Sequence, residues 1–290
     1  MHPELEAALH RLRADRLSGA TALTIGVCSS LGPFCERMKG QASKTDLEEF
    51  ALSMVKAQPN MGSLWNLANG VLHRSADPLS VASFCASFAE HCSGAAARVA
   101  EHVAPEVSGR RVLTSSSSSA VFHTLLKASS RAGTSVIVCE SRPMREGVLM
   151  ARELGRMGVG VTVIADAAAA LLLSESSVAI AGADAVNKEG VIGKIGLAHI
   201  ALACEARGTP LLILADSAKF APVPLSKDPR DPSELLEPGI PGVSADNRYF
   251  EHVGFDHVPS LYSETGRLST EDAQRAVWGS KVHSKLAQRS

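Results

Sequence analysis

Residues 178–215 read VAIAGADAVNKEGVIGKIGLAHIALACEARGTPLLILA and carry the pattern that decides the fold. The apolar runs at 178–182 and 210–215 have the length of buried strands, and the stretch 191–208 between them predicts a helix. A glycine and then a proline follow its last apolar turn, which is a typical helix stop. A strand, a helix and a second strand in this order predict two parallel strands joined by a crossover helix.

The same alternation extends over the C-terminal two-thirds of the chain. Further strand-like runs occupy 111–115, 135–139 and 160–164, and helical stretches fill most of the gaps between them. We therefore predict an α/β protein whose residues 105–290 form a Rossmann-like parallel sheet with a helical tail. Residues 1–104 show only helical periodicity and predict a helical N-terminal domain.

Capping residues predict where two helices of this N-terminal domain begin. Ser18 precedes a long apolar stretch and is expected to cap it. Thr45 is followed three residues later by a glutamate, a pattern typical of a capping box.

Composition narrows the function classes. The 29 basic and 30 acidic residues give a net charge of −1, so the bulk charge attracts neither nucleic acid nor an anionic membrane. The longest apolar stretch, 159–173, is interrupted by Asp166 and is too short to span a bilayer. The charged N-terminus does not resemble a signal peptide, and the six cysteines do not form a disulfide framework. We expect a cytoplasmic protein with no cofactor, no metal, no membrane contact and no direct nucleic-acid partner.

Ligands of parallel sheets bind beyond the carboxyl ends of the strands, so polar residues there are site candidates. The run Ser115–Ser119 precedes a helix and offers hydroxyls and free N–H groups to a phosphate; alternatively it caps the helix or forms a turn. Within this run we select Ser116 and Ser117. Arg142 and Arg145 follow another strand, where their guanidinium groups either bind phosphate or lock the loop in a salt bridge.

Two further candidates flank the turn after the strand at 178–182. Asp184 is placed to act as a general base or to bind sugar hydroxyls, or else it is an ordinary turn or N-cap aspartate. Lys194 is predicted in the first turn of the following helix, where a cation opposes the helix dipole. An anionic ligand would explain that position, and a solvated lysine is the alternative.

Four blocks of sequence resemble one known family. It unites the alpha, beta and delta subunits of eukaryotic translation initiation factor 2B with methylthioribose-1-phosphate isomerase and archaeal ribose-1,5-bisphosphate isomerase. The blocks keep the family order across most of the chain. They are QPNMGSLWNLANGVL (58–72), ESRPMREG (140–147), the segment from GAD to AKF (182–220), and NRYFEHVGFDHVPSLYSETG (247–266).

The resemblance implies a homodimer or larger assembly with a sugar-phosphate or nucleotide-phosphate pocket between its two domains. Isomerases of the family convert an aldose phosphate to a ketose phosphate with a cysteine and the aspartate of the GAD block. Asp184 matches that aspartate, whereas Ser116 stands at the cysteine position. A serine hydroxyl needs an adjacent base to do what a thiol does near neutral pH.

Further departures lie at the positions where the family binds its substrate. Gln58 replaces an arginine, Glu146 a glutamine and Gly193 an asparagine. A carboxylate that faces a phosphate repels it. We therefore expect a non-catalytic binding or regulatory protein for a phosphorylated sugar or nucleotide. The alternatives are an aldose–ketose isomerase, an intramolecular oxidoreductase, with an altered active site, and a purely structural dimer.

Overall fold

The computed structural model describes residues 1–38, 42–130, 133–174, 177–237, 239–278 and 281–287. Five helices form the N-terminal part, and their buried apolar side chains make one continuous core. These helices are α1 (Pro3–Ala14), α2 (Ala20–Arg37), α3 (Lys44–Ala57), α4 (Gly62–Arg74) and α5 (Pro78–Val107).

Both predicted helix starts in this part are wrong. Helix α2 begins after Gly19, because the N–H of Ser18 donates to Asp15 Oδ1 at 2.9 Å in the preceding turn. Helix α3 begins after Ser43, whose hydroxyl oxygen accepts a backbone N–H of the first turn, so Thr45 lies inside the helix. The Ser43 hydroxyl thus satisfies a free N–H group of α3, whereas no side chain caps the first N–H groups of α2.

The strand–helix alternation predicted for the C-terminal part is confirmed. In chain order its elements are β1 (Arg111–Thr114), α6 (Ser119–Ser129), β2 (Ser135–Cys139), α7 (Glu146–Arg156), β3 (Val161–Ile164), α8 (Ala169–Leu172), β4 (Ser177–Gly182), β5 (Ala185–Val186), β6 (Gly190–Lys194), α9 (Leu197–Arg207), β7 (Leu211–Leu214), β8 (Phe250–Gly254), β9 (Leu261–Ser263), β10 (Gly266–Leu268), α10 (Thr270–Trp278) and α11 (Ser284–Ala287).

Seven of these strands form one twisted sheet in the order β10-β9-β7-β4-β1-β2-β3. All neighbours pair in parallel except β10, which runs antiparallel to β9. Separate apolar clusters cover the sheet, so the predicted α/β class with a helical N-terminal part and a Rossmann-like sheet is confirmed. Strand order reverses between β1 and β4, and a ligand is expected in the crevice there.

Residues 191–194, predicted as the start of a helix, lie in strand β6 instead. This strand pairs antiparallel with β5 and with β8 in a small second sheet. Val191 and Ile192 are β-branched and suit a pleated strand. Helix α9 starts only after Gly196, whose φ of +100° ends the extended stretch. Lys194 therefore lies at the end of a strand and not in the first turn of a helix.

Helix α5 links the two parts of the molecule. Its N-terminal half supplies Val81 and Cys85 to the helical core. Its C-terminal half supplies Val99 and Val103 to the core that packs against one face of the sheet. The helix thus continues through residue 104, where the sequence predicts a domain boundary, and that boundary stays a prediction.

Among the described residues, no helix combines the length and the apolar character that crossing a bilayer requires.

Candidate functional site

A cavity of about 220 Å³ lies beyond the carboxyl ends of β1 and β4, where the strand order reverses. Segments from both parts of the chain meet there, which places the cavity between the helical part and the sheet. Its wall combines backbone, hydroxyl and charged groups. The lining residues are Gly19–Ala22, Ser115–Ser119, Phe122, Glu153, Ala181–Asp184, Lys194, Leu197 and Lys219.

The first turns of two helices, α2 and α6, line this cavity. Gly19 and Ser118 precede them, and neither helix has a side-chain cap on its first N–H groups. Ser119 Oγ donates to Thr21 Oγ1 at 3.5 Å, so the two helix ends are adjacent. Free N–H groups and the positive ends of two helix dipoles favour an anion between them. The sequence identifies the N-terminus of α6 as a candidate phosphate site. It does not identify the N-terminus of α2, because α2 reaches the cavity only by packing between residues that are 98 positions apart in the chain.

The serine loop is held in a conformation that is uncommon for residues other than glycine. Ser116 has a φ of +61°, and its N–H donates to Ser141 Oγ at 2.6 Å. The N–H of Ser141 in turn donates to Asp166 Oδ1 at 2.7 Å. A left-handed backbone conformation has an energetic cost for a serine. The hydrogen bonds that involve Ser141 and Asp166, in the loops after β2 and β3, offset this cost. Ser116 is therefore fixed at the cavity by its surroundings.

Asp184 follows β4 and is held by its backbone on two sides. Its N–H donates to the carbonyl of Ile192 at 2.8 Å, and its carbonyl accepts the N–H of Gly62 at 2.9 Å. Burial by the surrounding protein raises the pKa of the Asp184 carboxyl, although the positive charges of Lys219 and Lys194 lower it. The carboxyl therefore keeps its proton to a higher pH than a free aspartate does.

Replacing Asp184 by asparagine should stabilise the protein at neutral pH. Because the folded-state pKa is raised, folding is favoured while the carboxyl is protonated, and this contribution is lost as the pH rises through the folded pKa. We expect a Tm for Asp184→Asn about 2–4 °C above the wild type at pH 7, the effect of about 1 kcal/mol. Thermal unfolding followed by circular dichroism from pH 4 to 7 measures it.

The difference should shrink towards pH 4, where the carboxyl of the wild type is neutral as well. Asp256→Asn is the matched control, because Asp256 is exposed and its replacement should leave the Tm unchanged. A lower Tm for Asp184→Asn than for the wild type at pH 7 would contradict the argument.

Two lysines face Asp184 from different elements. Lys194 Nζ pairs with the Glu146 carboxylate and lies 4.1 Å from the centroid of the Tyr249 ring. Lys219 Nζ lies 3.6 Å from Asp216 Oδ2, and both of these side chains are buried. Each of the two lysines is therefore neutralised by a carboxylate other than that of Asp184. Lys219 was not selected from the sequence, although it lies in the AKF end of the third block.

The two arginines predicted as phosphate ligands lie away from the cavity. Arg142 lines a neighbouring pocket, and its guanidinium donates to the carbonyl of Glu234 at 3.0 Å. Arg145 has a side chain that is 60% exposed, with Nε at 3.7 Å from Glu140 Oε2. The structure thus brings Ser116, Ser117, Asp184 and Lys194 together. Arg145 forms the salt bridge considered as its alternative, whereas Arg142 donates to a backbone carbonyl.

A side pocket of about 40 Å³ opens beside the cavity and shares part of its wall. Gln58, at the position of the family arginine, lies here with its Nε2 donating to the carbonyl of Leu12 at 3.2 Å. Arg230 reaches the same place from a distant loop, with Nη2 at 3.5 Å from Gln58 Oε1 and its guanidinium over the Tyr249 ring. The other residues that line the side pocket alone are Asp15–Ser18, Met61, Glu146 and Phe250.

All six cysteines are buried and free, and the cavity wall contains none of them. Burial raises the pKa of the Cys139 thiol, which ends β2, to about 12, so this thiol stays protonated at neutral pH. Within the described ranges, the His, Cys, Asp and Glu side chains form no group of three that could hold a metal ion.

Comparison with known proteins agrees with the fold. The chain is 28% identical over 291 residues to ribose 1,5-bisphosphate isomerase of Archaeoglobus fulgidus, covering 94% of this chain and 92% of that protein. It shares 29% identity and a TM-score of 0.82 with the crystal structure of Pyrococcus horikoshii translation initiation factor eIF-2B, over 92% and 98% of the two chains.

The 5-methylthioribose 1-phosphate isomerase of Pyrococcus horikoshii shares the fold, with a TM-score of 0.69 at 20% identity over 99% of this chain and 88% of that one. A sequence model of the initiation factor 2 subunit family matches residues 16–264, most of the chain. The family resemblance in the four sequence blocks is thereby confirmed, and the chain belongs to the initiation factor 2 subunit family.

Proposed function

We propose that this protein binds a phosphorylated sugar or nucleotide in the cavity and acts as a binding or regulatory protein without turning its ligand over. One observation carries the proposal: the cavity combines a phosphate cradle with a serine, Ser116, where the family's isomerases have a cysteine. The two helix ends and the serine run supply groups that can bind an anion, whereas half of the family's proton-transfer pair is replaced.

The phosphate cradle is built from backbone and hydroxyl groups. Two helices of 18 and 11 residues direct their N-termini at the same cavity. Backbone N–H groups at such ends bind phosphate without a dedicated cation. The hydroxyl of Ser117 adds a further donor. This arrangement supports binding even though the nearby lysines are paired with carboxylates.

Turnover of the family type needs two positioned acid/base groups, because hydrogen moves between adjacent carbons of the sugar. Asp184 satisfies the requirement for one of them, since burial raises its pKa. Ser116 is a poor second group, because an alcohol neither gives nor takes a proton readily near neutral pH. The hydrogen bond of Ser116 runs from its backbone N–H to the hydroxyl of Ser141, and a hydroxyl is not a base that could activate Ser116.

An aldose–ketose isomerase is the second candidate, and the environment of Asp184 favours it. A carboxyl with a raised pKa between two lysines is a suitable general acid/base, and a similar protein is named ribose 1,5-bisphosphate isomerase. On this alternative, one of the lysines would replace the cysteine in proton transfer.

A thermal-shift screen followed by a product assay separates the two candidates. The probes are AMP, GMP, ribose 5-phosphate, ribose 1-phosphate, ribose 1,5-bisphosphate and methylthioribose 1-phosphate. A probe at 100 times its Kd stabilises the native state by about 2.7 kcal/mol, which raises the Tm visibly. Each probe that shifts the Tm is then incubated with the protein, and ketose formation is followed by NMR. We expect at least one Tm shift and no ketose.

Ketose formed faster than in a protein-free blank would replace the binding proposal by the isomerase. No shift with any probe would contradict both candidates. Lys194→Ala tests the location of the site and should weaken binding by about 1–3 kcal/mol, because it leaves the Glu146 carboxylate without its cation and free to repel the ligand. Lys127→Ala, on the outer surface of α6, is the control and should bind like the wild type.

Two further expectations belong with this proposal. The homodimer or higher homo-oligomer that the resemblance implies stays a prediction, and so does a cytoplasmic location.

A further inference from the structure

We infer that the side pocket receives a neutral, hydroxyl-bearing part of the ligand and excludes a second phosphate, so that the ligand carries a single phosphate group. The inference rests on the proposed function, because it assumes that the phosphate occupies the main cavity. It narrows the ligand class to monophosphates of sugars or nucleosides. Glu146 is the residue that we infer to discriminate between monophosphates and bisphosphates.

One ligand can extend from the cavity into the side pocket. The two share the wall residues Gly19, Ser116, Ser117, Asp184 and Lys194. A phosphate at the two helix ends would thus have its sugar near Asp184 and its far end in the side pocket. The side pocket, at about 40 Å³ against 220 Å³ for the cavity, has room for only a few atoms.

The cations of the side pocket are already neutralised by carboxylates. Its three cations each have an acidic partner: Arg16 pairs with Glu234 at 2.9 Å, Lys194 with Glu146, and Arg230 with Asp228. A dianionic phosphate would have to displace one of these carboxylates or lie beside it. Two like charges at close range in a partly desolvated site repel each other strongly.

Glu146 is the residue that makes the difference. It begins α7, its side chain is 6% exposed, and it occupies the position of the family glutamine. A glutamine would leave the Lys194 ammonium unneutralised for an anion. The Glu146 carboxylate instead neutralises the Lys194 ammonium and offers the ligand a hydrogen-bond acceptor.

Two residues of the side-pocket wall each have a buried polar atom that lacks a hydrogen-bond partner among the described residues. Glu146 Oε2 is an acceptor and Arg230 Nε is a donor. Unpaired buried groups have a desolvation cost, which a ligand group that both donates and accepts would remove. A sugar hydroxyl does both, whereas a phosphate dianion offers only acceptors and an ammonium only donors.

Calorimetric titrations with three matched probes test the inference: ribose 5-phosphate, ribose 1-phosphate and ribose 1,5-bisphosphate. The wild type should bind one of the monophosphates at least tenfold more tightly than the bisphosphate. Glu146→Gln keeps the shape of the side chain and removes its charge. In this variant the preference for the monophosphate should fall at least tenfold, because Lys194 becomes available to the second phosphate.

The matched control is Glu271→Gln, an exposed glutamate of α10 whose replacement should leave the ratio of Kd values as in the wild type. Equal or tighter binding of the bisphosphate by the wild type would overturn the inference while the proposed function stands. An unchanged ratio in Glu146→Gln would overturn the role of this residue. If none of the three probes binds either protein, the inference fails, and the proposed function is then decided by AMP, GMP and methylthioribose 1-phosphate in the thermal-shift screen. The wild-type ratio decides the case even if the variant does not fold.

Discussion

Replacing Lys219 by methionine should lower the free energy of unfolding by about 3–5 kcal/mol. Lys219 and Asp216 form a buried ion pair, with side chains that are 5% and 2% exposed and 3.6 Å between Nζ and Oδ2. Methionine fills similar space but leaves the Asp216 carboxylate without its cation in a place that water hardly reaches. Urea denaturation at pH 7 measures the loss as a lower midpoint at unchanged slope.

Two further variants separate this effect from a general loss of charge. Lys127→Met breaks an exposed ion pair with Glu101 and should change stability by at most about 1 kcal/mol. Adding Asp216→Asn to Lys219→Met removes the unpaired charge and should recover part of the loss. A loss below about 1 kcal/mol for Lys219→Met alone would show that the pair contributes little.

Gly62→Ala should destabilise the protein by about 3 kcal/mol or more and also weaken ligand binding. A Cβ at this position would lie 2.2 Å from the carbonyl oxygen and 2.9 Å from the carbonyl carbon of Lys219. The atoms that the new Cβ would meet belong to the backbone at Lys219, and a backbone carbonyl cannot rotate away as a side chain can. The N–H of Gly62 also donates to the Asp184 carbonyl, so any shift of α4 moves the site. Thermal unfolding and the probe titrations measure the two effects.

Gly26→Ala is the matched control within the same helical part. Gly26 is exposed on α2, and a Cβ there would meet nothing within 4 Å. This substitution should stabilise the protein by about 0.5–1 kcal/mol, because alanine loses less conformational entropy in a helix than glycine. Similar Tm values for the two alanine variants would contradict the close approach at Gly62.

The central strands could be predicted because their signal is local. The sequences of β1, β2, β4 and β7 are short apolar runs bounded by turn residues, and each pairs with a neighbour of the same kind. Strand β6 could not be separated from α9 in this way. Its Val191 and Ile192 continue the apolar pattern of the following helix. One of its two pairing partners, β5, has only two residues, and the other, β8, lies about sixty residues further along the chain.

Part of the site could also be predicted, for a topological reason. Ser116, Ser117 and Asp184 directly follow adjacent parallel strands, whose ends meet at one edge of the sheet. Arg142 and Arg145 follow β2 in the same way, but contacts with Glu234 and Glu140 hold them elsewhere. The α2 end and Arg230 reach the site through long-range packing, which has no signature in a single sequence.

Helix α5 has a consequence for how the molecule loses its structure. This helix has 30 residues. Its N-terminal half contributes apolar side chains to the helical core, and its C-terminal half contributes them to the core that packs against the sheet. If either core unfolded, α5 would lose part of its packing, and the side chains that it buries in the other core would become exposed. The two halves should therefore unfold together as one cooperative unit, with slow amide exchange continuing along α5 across the segment that separates them in the sequence.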